Sequence, residues 1–126
     1  MIAGCNFEDL GGNGVVVSGF GRSVRIENNT FSRFGAAAMA VLGRTKLIDA
    51  TDGDFPSGTV ISRNIAYDGG VYLKGYFGPL VLAKQQASVV RGNIFFNSPR
   101  ALIMVNDGAM GGDVFTQCEI AIIINA

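Results

Sequence analysis

Apolar positions in this chain come in short runs of three to five, separated by polar corners and glycine-rich turns, and the runs recur in step. Residues 92–112, GNIFFNSPRALIMVNDGAMGG, show the unit most clearly. Asn-Ile-Phe-Phe-Asn is followed by a Ser-Pro corner, an apolar run at 101–105, then Asn-Asp-Gly and a glycine pair. Runs this short between turn signals predict strands rather than helices.

The same order recurs along the chain. Residues 3–20 hold an aromatic, an acidic corner, a glycine-rich turn and a valine strand, and residues 23–43 fall into step with them. Phe7 matches Phe31, Leu10 matches Phe34 and Gly11 matches Gly35, each 24 residues apart. A third unit starts at Val60 and a fourth at Val89, and a fifth, from Asp113 to Asn125, overlays the fourth. Taking Asn29, Asn64, Asn93 and Asp113 as equivalent gives steps of 35, 29 and 20, the variation being absorbed by loops.

One such unit cannot bury its own apolar face, because an isolated strand pair is marginal in water. Stacking the units with parallel strands about 4.8 Å apart closes a shared core. We therefore expect an all-β parallel β-helix solenoid of about five coils forming a single domain over residues 1–126. An α-solenoid is excluded by four or more glycines in units of 20 to 24 residues. Residues 44–58 are expected to form a loop insertion and residues 75–88 a second excursion.

Three stacked asparagines, Asn29, Asn64 and Asn93, are expected to form a ladder satisfying buried backbone groups at a bend. Phe31, Phe34, Phe95, Phe96 and Phe115 are expected in core or corner stacks. Cys5 and Cys118 lie four coils apart, roughly 19 Å at strand spacing. That exceeds the reach of a disulfide, so both are expected to be buried free thiols.

Composition narrows the function. The net charge is zero, with ten basic and ten acidic residues, and no basic cluster forms, so nucleic acid is not expected as a partner. No apolar run is long enough to span a bilayer, so no membrane partner is expected. Histidine is absent, which removes the commonest general base and zinc ligand. The first ten residues, MIAGCNFEDL, have neither the basic nor the apolar region of a signal peptide, so none is expected in this stretch.

A solenoid needs polar caps, and neither end shows one. We expect a fragment of a longer protein that lacks both caps. If the chain were complete, the edge AIIINA would pair with another copy end to end.

The repeat, most specifically at residues 92–112, resembles that of right-handed parallel β-helix proteins of the pectin-lyase-like superfamily. The closest likeness is to uncharacterised β-helix repeat proteins, and it covers the whole chain. The superfamily includes polysaccharide lyases, glycoside hydrolases, epimerases and carbohydrate-binding or adhesive proteins. The resemblance implies a carbohydrate-active protein that binds or cleaves polysaccharide along a lateral face. The alternative is a non-catalytic structural or adhesive scaffold. The compartment is extracellular if a longer protein carries a signal peptide.

A lyase needs a base, commonly with Ca²⁺ held by carboxylates, and a hydrolase needs two carboxylates about 5 to 9.5 Å apart. The catalytic candidates are Asp107, Asp68, Lys84 and Arg100, with Arg63 and Asp113 as further members of the pool. Asn106, Lys74 and Tyr76 are candidate substrate contacts, and Tyr72, Tyr76 and Phe77 a candidate stacking platform beside Lys74. No cofactor is required. Ca²⁺ at Asp49, Asp52 and Asp54 is the weaker alternative to a polar turn there, and no metal site is assigned.

Overall fold

The structure is a computed structural model that describes residues 1–46, 49–75, 77–106 and 110–121. Fourteen strands and no helix occur among the described residues: β1 (Ile2–Ala3), β2 (Asn6–Leu10), β3 (Val15–Ser18), β4 (Arg25–Glu27), β5 (Thr30–Phe34), β6 (Met39–Leu42), β7 (Val60–Ser62), β8 (Ile65–Tyr67), β9 (Leu80–Ala83), β10 (Val89–Arg91), β11 (Ile94–Phe96), β12 (Ile103–Asn106), β13 (Val114–Thr116) and β14 (Glu119–Ala121). Every third strand pairs with the next one of its kind, always in parallel. Sheet A holds β1, β4, β7, β10 and β13; sheet B holds β2, β5, β8, β11 and β14; sheet C holds β3, β6, β9 and β12. The chain is thus an all-β parallel β-helix of about five coils, the fifth represented by β13 and β14.

The core runs down the axis in rows, one residue per coil. Ile2, Ile26, Ile61 and Val90 line it from sheet A; Phe7, Phe31, Ala66 and Phe95 from sheet B; Val15, Met39 and Leu80 from sheet C. Phe7 and Phe31 stack with ring centres 4.8 Å apart, one coil spacing. The expected pairings Phe7 with Phe31 and Leu10 with Phe34 are the observed register.

Between sheets A and B each coil turns on two residues, and the first always has a positive φ: Gly4, Asn28, Arg63, Gly92 and Gln117, at 52° to 66°. The second residue of this turn builds the ladder. Asn29 Oδ1 accepts from the Cys5 backbone N–H at 2.9 Å, Asn64 Oδ1 from Asn29 at 3.0 Å, and Asn93 Oδ1 from Asn64 at 2.9 Å. Their side-chain N–H groups donate to Ile2, Ile26 and Ile61 carbonyls. The ladder's next position is Cys118, 25 residues beyond Asn93, whereas Asp113 was expected there. Val89 pairs with Val114, so Asp113 aligns with Ser88 and accepts a hydrogen bond from the Ser88 backbone N–H at 2.8 Å.

Two further expectations change with this register. Phe115 pairs with Val90 on sheet A, outside the sheet B aromatic row, and is 43% exposed. Both thiols are free, but Cys5 is exposed and Cys118 only half-buried, because each sits in an end coil with a neighbour on one side.

All length variation lies at the other two corners. Sheet B to sheet C takes four residues in the first two coils and twelve, 68–79, in the third; sheet C to sheet A takes 43–59 in the second coil. The stretch 75–88, expected as an excursion, contains β9 in its middle. Leu80 and Leu82 are fully buried there, since they complete the core rows beside Met39 and Val41. Tetrads such as Leu-Val-Leu-Ala carry too little pattern to be separated from a loop by sequence alone.

Candidate functional site

Sheet C is flanked by the two variable corners, and the candidate residues divide between them. Asp68, Lys74 and Arg100 fall in the B–C corner, in 68–79 and 97–102; Lys84 and Asn106 fall at the C–A side, just after β9 and at the end of β12. The four residues of β9 separate Asp68 and Lys74 from Lys84 by about 10 Å of strand. Asp107 and Tyr76 lie outside the described residues. Asp68, Lys84 and Arg100 therefore do not converge on one point.

Each is also engaged by its own corner. Asp68 accepts from the Asn97 side-chain amide, one coil on. Lys84 Nζ donates to the Thr45 carbonyl at 3.1 Å, tying its turn to the 43–59 connection. Arg100 donates to the Gly75 carbonyl, and Lys74 is exposed beside it in the same connection. Arg63 lies at the A–B turn and donates to Asn28 Oδ1 at 3.0 Å. Asp113 also accepts from Gln85 at 2.8 Å, inside a polar cluster with fully buried Ser88.

The acidic run is satisfied within its loop. Asp49 Oδ1 accepts from the Thr51 backbone N–H and hydroxyl, Asp52 Oδ1 accepts from the Asp54 N–H, and Asp54 pairs with Arg44 at 3.2 Å. The Thr51 hydroxyl, then its N–H, hold the Asp49 carboxyl below its usual range. Among the described residues no three His, Cys, Asp or Glu side chains gather as a metal site.

What the B–C corner does build is a groove that sequence reading missed. It has a volume of about 280 Å³ and is lined by Asp9, Leu10, Gly11, Arg33, Val71 and Tyr72. Asp9, Arg33, Asp68 and Asn97 occupy one row, each with φ between 51° and 55° at the end of its sheet B strand. Left-handed backbone suits Asp and Asn and is uncommon for Arg, so Arg33 is the outlier in the row. Arg33 grips Asp9 through both carboxylate oxygens, at 2.6 and 3.0 Å, and Glu8 at 2.9 Å. The Arg33 hydrogen bond holds the Asp9 carboxyl below its ordinary value, and the same bonds raise the guanidinium further above its own.

Connection 68–79 supplies the groove's other wall by folding back over the second coil. Val71 N donates to Phe34 O at 3.2 Å, and Tyr72 and Leu73 N donate to Gly35 O at 3.2 and 3.0 Å. Gly35 is required here, because a Cβ would stand 2.3 Å from the Gly11 carbonyl and 2.8 Å from the Tyr72 ring. Tyr72 is left 72% exposed. Phe77, expected in the same platform, instead covers the outer face of sheet C with Ala40, Val81 and Met104. A signal for the pair existed in the sequence: Asp9 and Arg33 are 24 residues apart, the same step that links Phe7 to Phe31.

Uninterrupted parallel sheets, two-residue turns and a stacked asparagine row define a parallel β-helix. The chain matches the family model for the right handed beta helix region over residues 1–123 and belongs to that family. Neither a curated protein nor a solved structure matches it.

Proposed function

We propose that this β-helix binds polysaccharide at the B–C corner and does not cleave it there. The carrying observation is the exposed Tyr72 ring beside the fixed Arg33–Asp9 pair in an open groove. A pyranose ring has an apolar face and a rim of hydroxyls. An exposed aromatic ring offers a flat apolar partner for the face. An arginine and a carboxylate held in place offer donors and acceptors for the rim. Lys74, Asp68 and Arg100 lie further along the same edge and extend the contact surface.

Binding is favoured over cleavage by the state of the carboxylates. A general acid at neutral pH needs a raised pKa, and the arginine holds Asp9 in the opposite direction. Asp68 is paired with Asn97 and Lys84 with Thr45 on separate corners, and Arg100 is tied to the Gly75 carbonyl. The same engagement of charged groups between coils also suits a structural scaffold, and one experiment separates the two readings.

Native affinity electrophoresis through gels containing hydroxyethylcellulose, xylan, galactomannan or alginate is that experiment. Retardation in at least one polymer is expected, weakened roughly tenfold by Tyr72→Ala, a loss of one aromatic contact, and largely retained by Tyr72→Phe. Wild-type protein that migrates freely through all four polymers would leave the scaffold reading standing. Release of reducing ends abolished by Asp9→Asn would overturn the non-cleaving part.

A further inference from the structure

The opposite edge of sheet C carries a second exposed aromatic ring in a similar setting. Phe20 is 69% exposed and sits at the tip of a tight turn, where Gly19 N donates to Leu42 O at 3.0 Å and Gly21 N to Gly19 O at 2.8 Å. The Arg22 guanidinium lies 3.8 Å from the centre of the Phe20 ring and 5.3 Å from that of Phe55. Arg22 is itself fixed, donating to the carbonyls of Gly21, Gly53 and Phe55. One face of Phe20 is therefore occupied by a planar cation held by backbone carbonyls. Arg44, paired with Asp54 at 3.2 Å, packs beside Gly19.

Most of the Phe20 ring stays in water, held at the turn by the Arg22 cation. The setting repeats the one at Tyr72: an exposed ring next to an arginine–aspartate pair, at a corner bordering sheet C. Between the two, β3 presents Val16, 47% exposed, and Ser18 on the outer face of the first coil. Four residues of strand span about 10 Å, more than one sugar unit.

We propose that Phe20, backed by Arg22 and flanked by the Arg44–Asp54 pair, is a second sugar-stacking platform for the polysaccharide bound at the Tyr72 groove. This rests on the glycan-binding reading above. Two platforms on one rigid frame make the second contact intramolecular, so a long chain gains from both while a short one meets either alone.

The test uses the same four polymers with Phe20→Ala, Phe20→Leu, Phe20→Tyr, Tyr72→Ala and the Phe20→Ala/Tyr72→Ala double variant, each with its thermal midpoint measured. Phe20→Ala is expected to weaken binding roughly tenfold, Phe20→Leu to do the same while keeping an apolar side chain, and Phe20→Tyr to bind like the parent. The double variant is expected to lose retardation. If Phe20→Ala and Phe20→Leu bind like wild type while Tyr72→Ala is weakened, the second platform is overturned and the groove stands. If Phe20 variants are weakened and Tyr72→Ala is not, the groove reading falls, and with it the proposal of two platforms sharing one chain. If no polymer retards the wild type, both fall.

Discussion

Asn64 has no solvent-accessible surface, and its side chain is fully used between coils. Its oxygen accepts from the backbone and side-chain N–H groups of Asn29 at 3.0 and 3.1 Å; its amide donates to Ile26 O at 2.9 Å and Asn93 Oδ1 at 3.0 Å. Asn64→Ala would strand the Asn29 N–H and the Ile26 carbonyl away from water as well as open a void. The expected cost is about 3 kcal/mol or more, read as a drop in the denaturation midpoint in urea at an unchanged slope. Glu27 behaves differently, although it too is nearly buried, at 7% exposure. Arg25, at 2.6 Å, is the main cause holding its carboxyl below the ordinary 4.5; burial opposes this, and the Ser62 hydroxyl and the charge of Arg63 add to the lowering. With the folded pKa below the unfolded one, the contribution is complete above about pH 4.5 and is lost as pH falls through the folded value. Thermal midpoints are therefore expected to hold from pH 7 to about 5 and to fall below that, more gently in Glu27→Gln. An equal slope in the variant would remove Glu27 from the account. Asp9 and Asp49 are lowered as well and add in the same direction.

At the scale of elements, the two-residue A–B turn is the constant and the other corners are the variables. The first residue of the A–B turn is Asn, Arg or Gln at positive φ in three coils and Gly in the other two, always beside the ladder position. The B–C corner is constrained by close approach between coils. A Cβ at Gly78 would lie 2.1 Å from the Ala101 carbonyl, and backbone cannot yield as a side-chain tip can. Gly78→Ala is expected to cost about 1–3 kcal/mol by overpacking, with Gly75→Ala, where a Cβ meets nothing within 4 Å, as the control within the same connection. Calorimetry on the pair decides it: similar midpoints would mean that the corner relaxes.

For the whole molecule, stability comes from stacking and not from cross-links. Cys5 and Cys118 sit at opposite ends of the asparagine ladder, with Cys118 Sγ 3.9 Å from the Asn93 amide nitrogen. The melting curve is expected to be indifferent to reductant. In native protein, a maleimide reagent is expected to modify Cys5 quickly and Cys118 more slowly, as checked by mass spectrometry of the digested adduct; equal rates would contradict the half-burial of Cys118.

The strand repeat, the parallel solenoid, the asparagine ladder and the pairing of the first two coils are legible in the chain alone. Those follow from local pattern, since side chains such as Phe7 and Phe31 must meet at one coil spacing once the 24-residue step is read. Sequence reading misplaced Asp113 by aligning it with Asn93, because an Asp-Val and an Asn-Ile start look alike until strand register is fixed by hydrogen bonding. How the long connections lie depends on contacts between coils. Residues 68–79 carry no period, and hydrogen bonds to the Phe34 and Gly35 carbonyls, with no Cβ at Gly35 to block the approach, place Tyr72 against Arg33 and Asp9. The same holds for the catalytic candidates: chain spacing could not tell that β9 stands between Asp68 and Lys84, since their separation depends on which residues enter a strand and which leave at a corner.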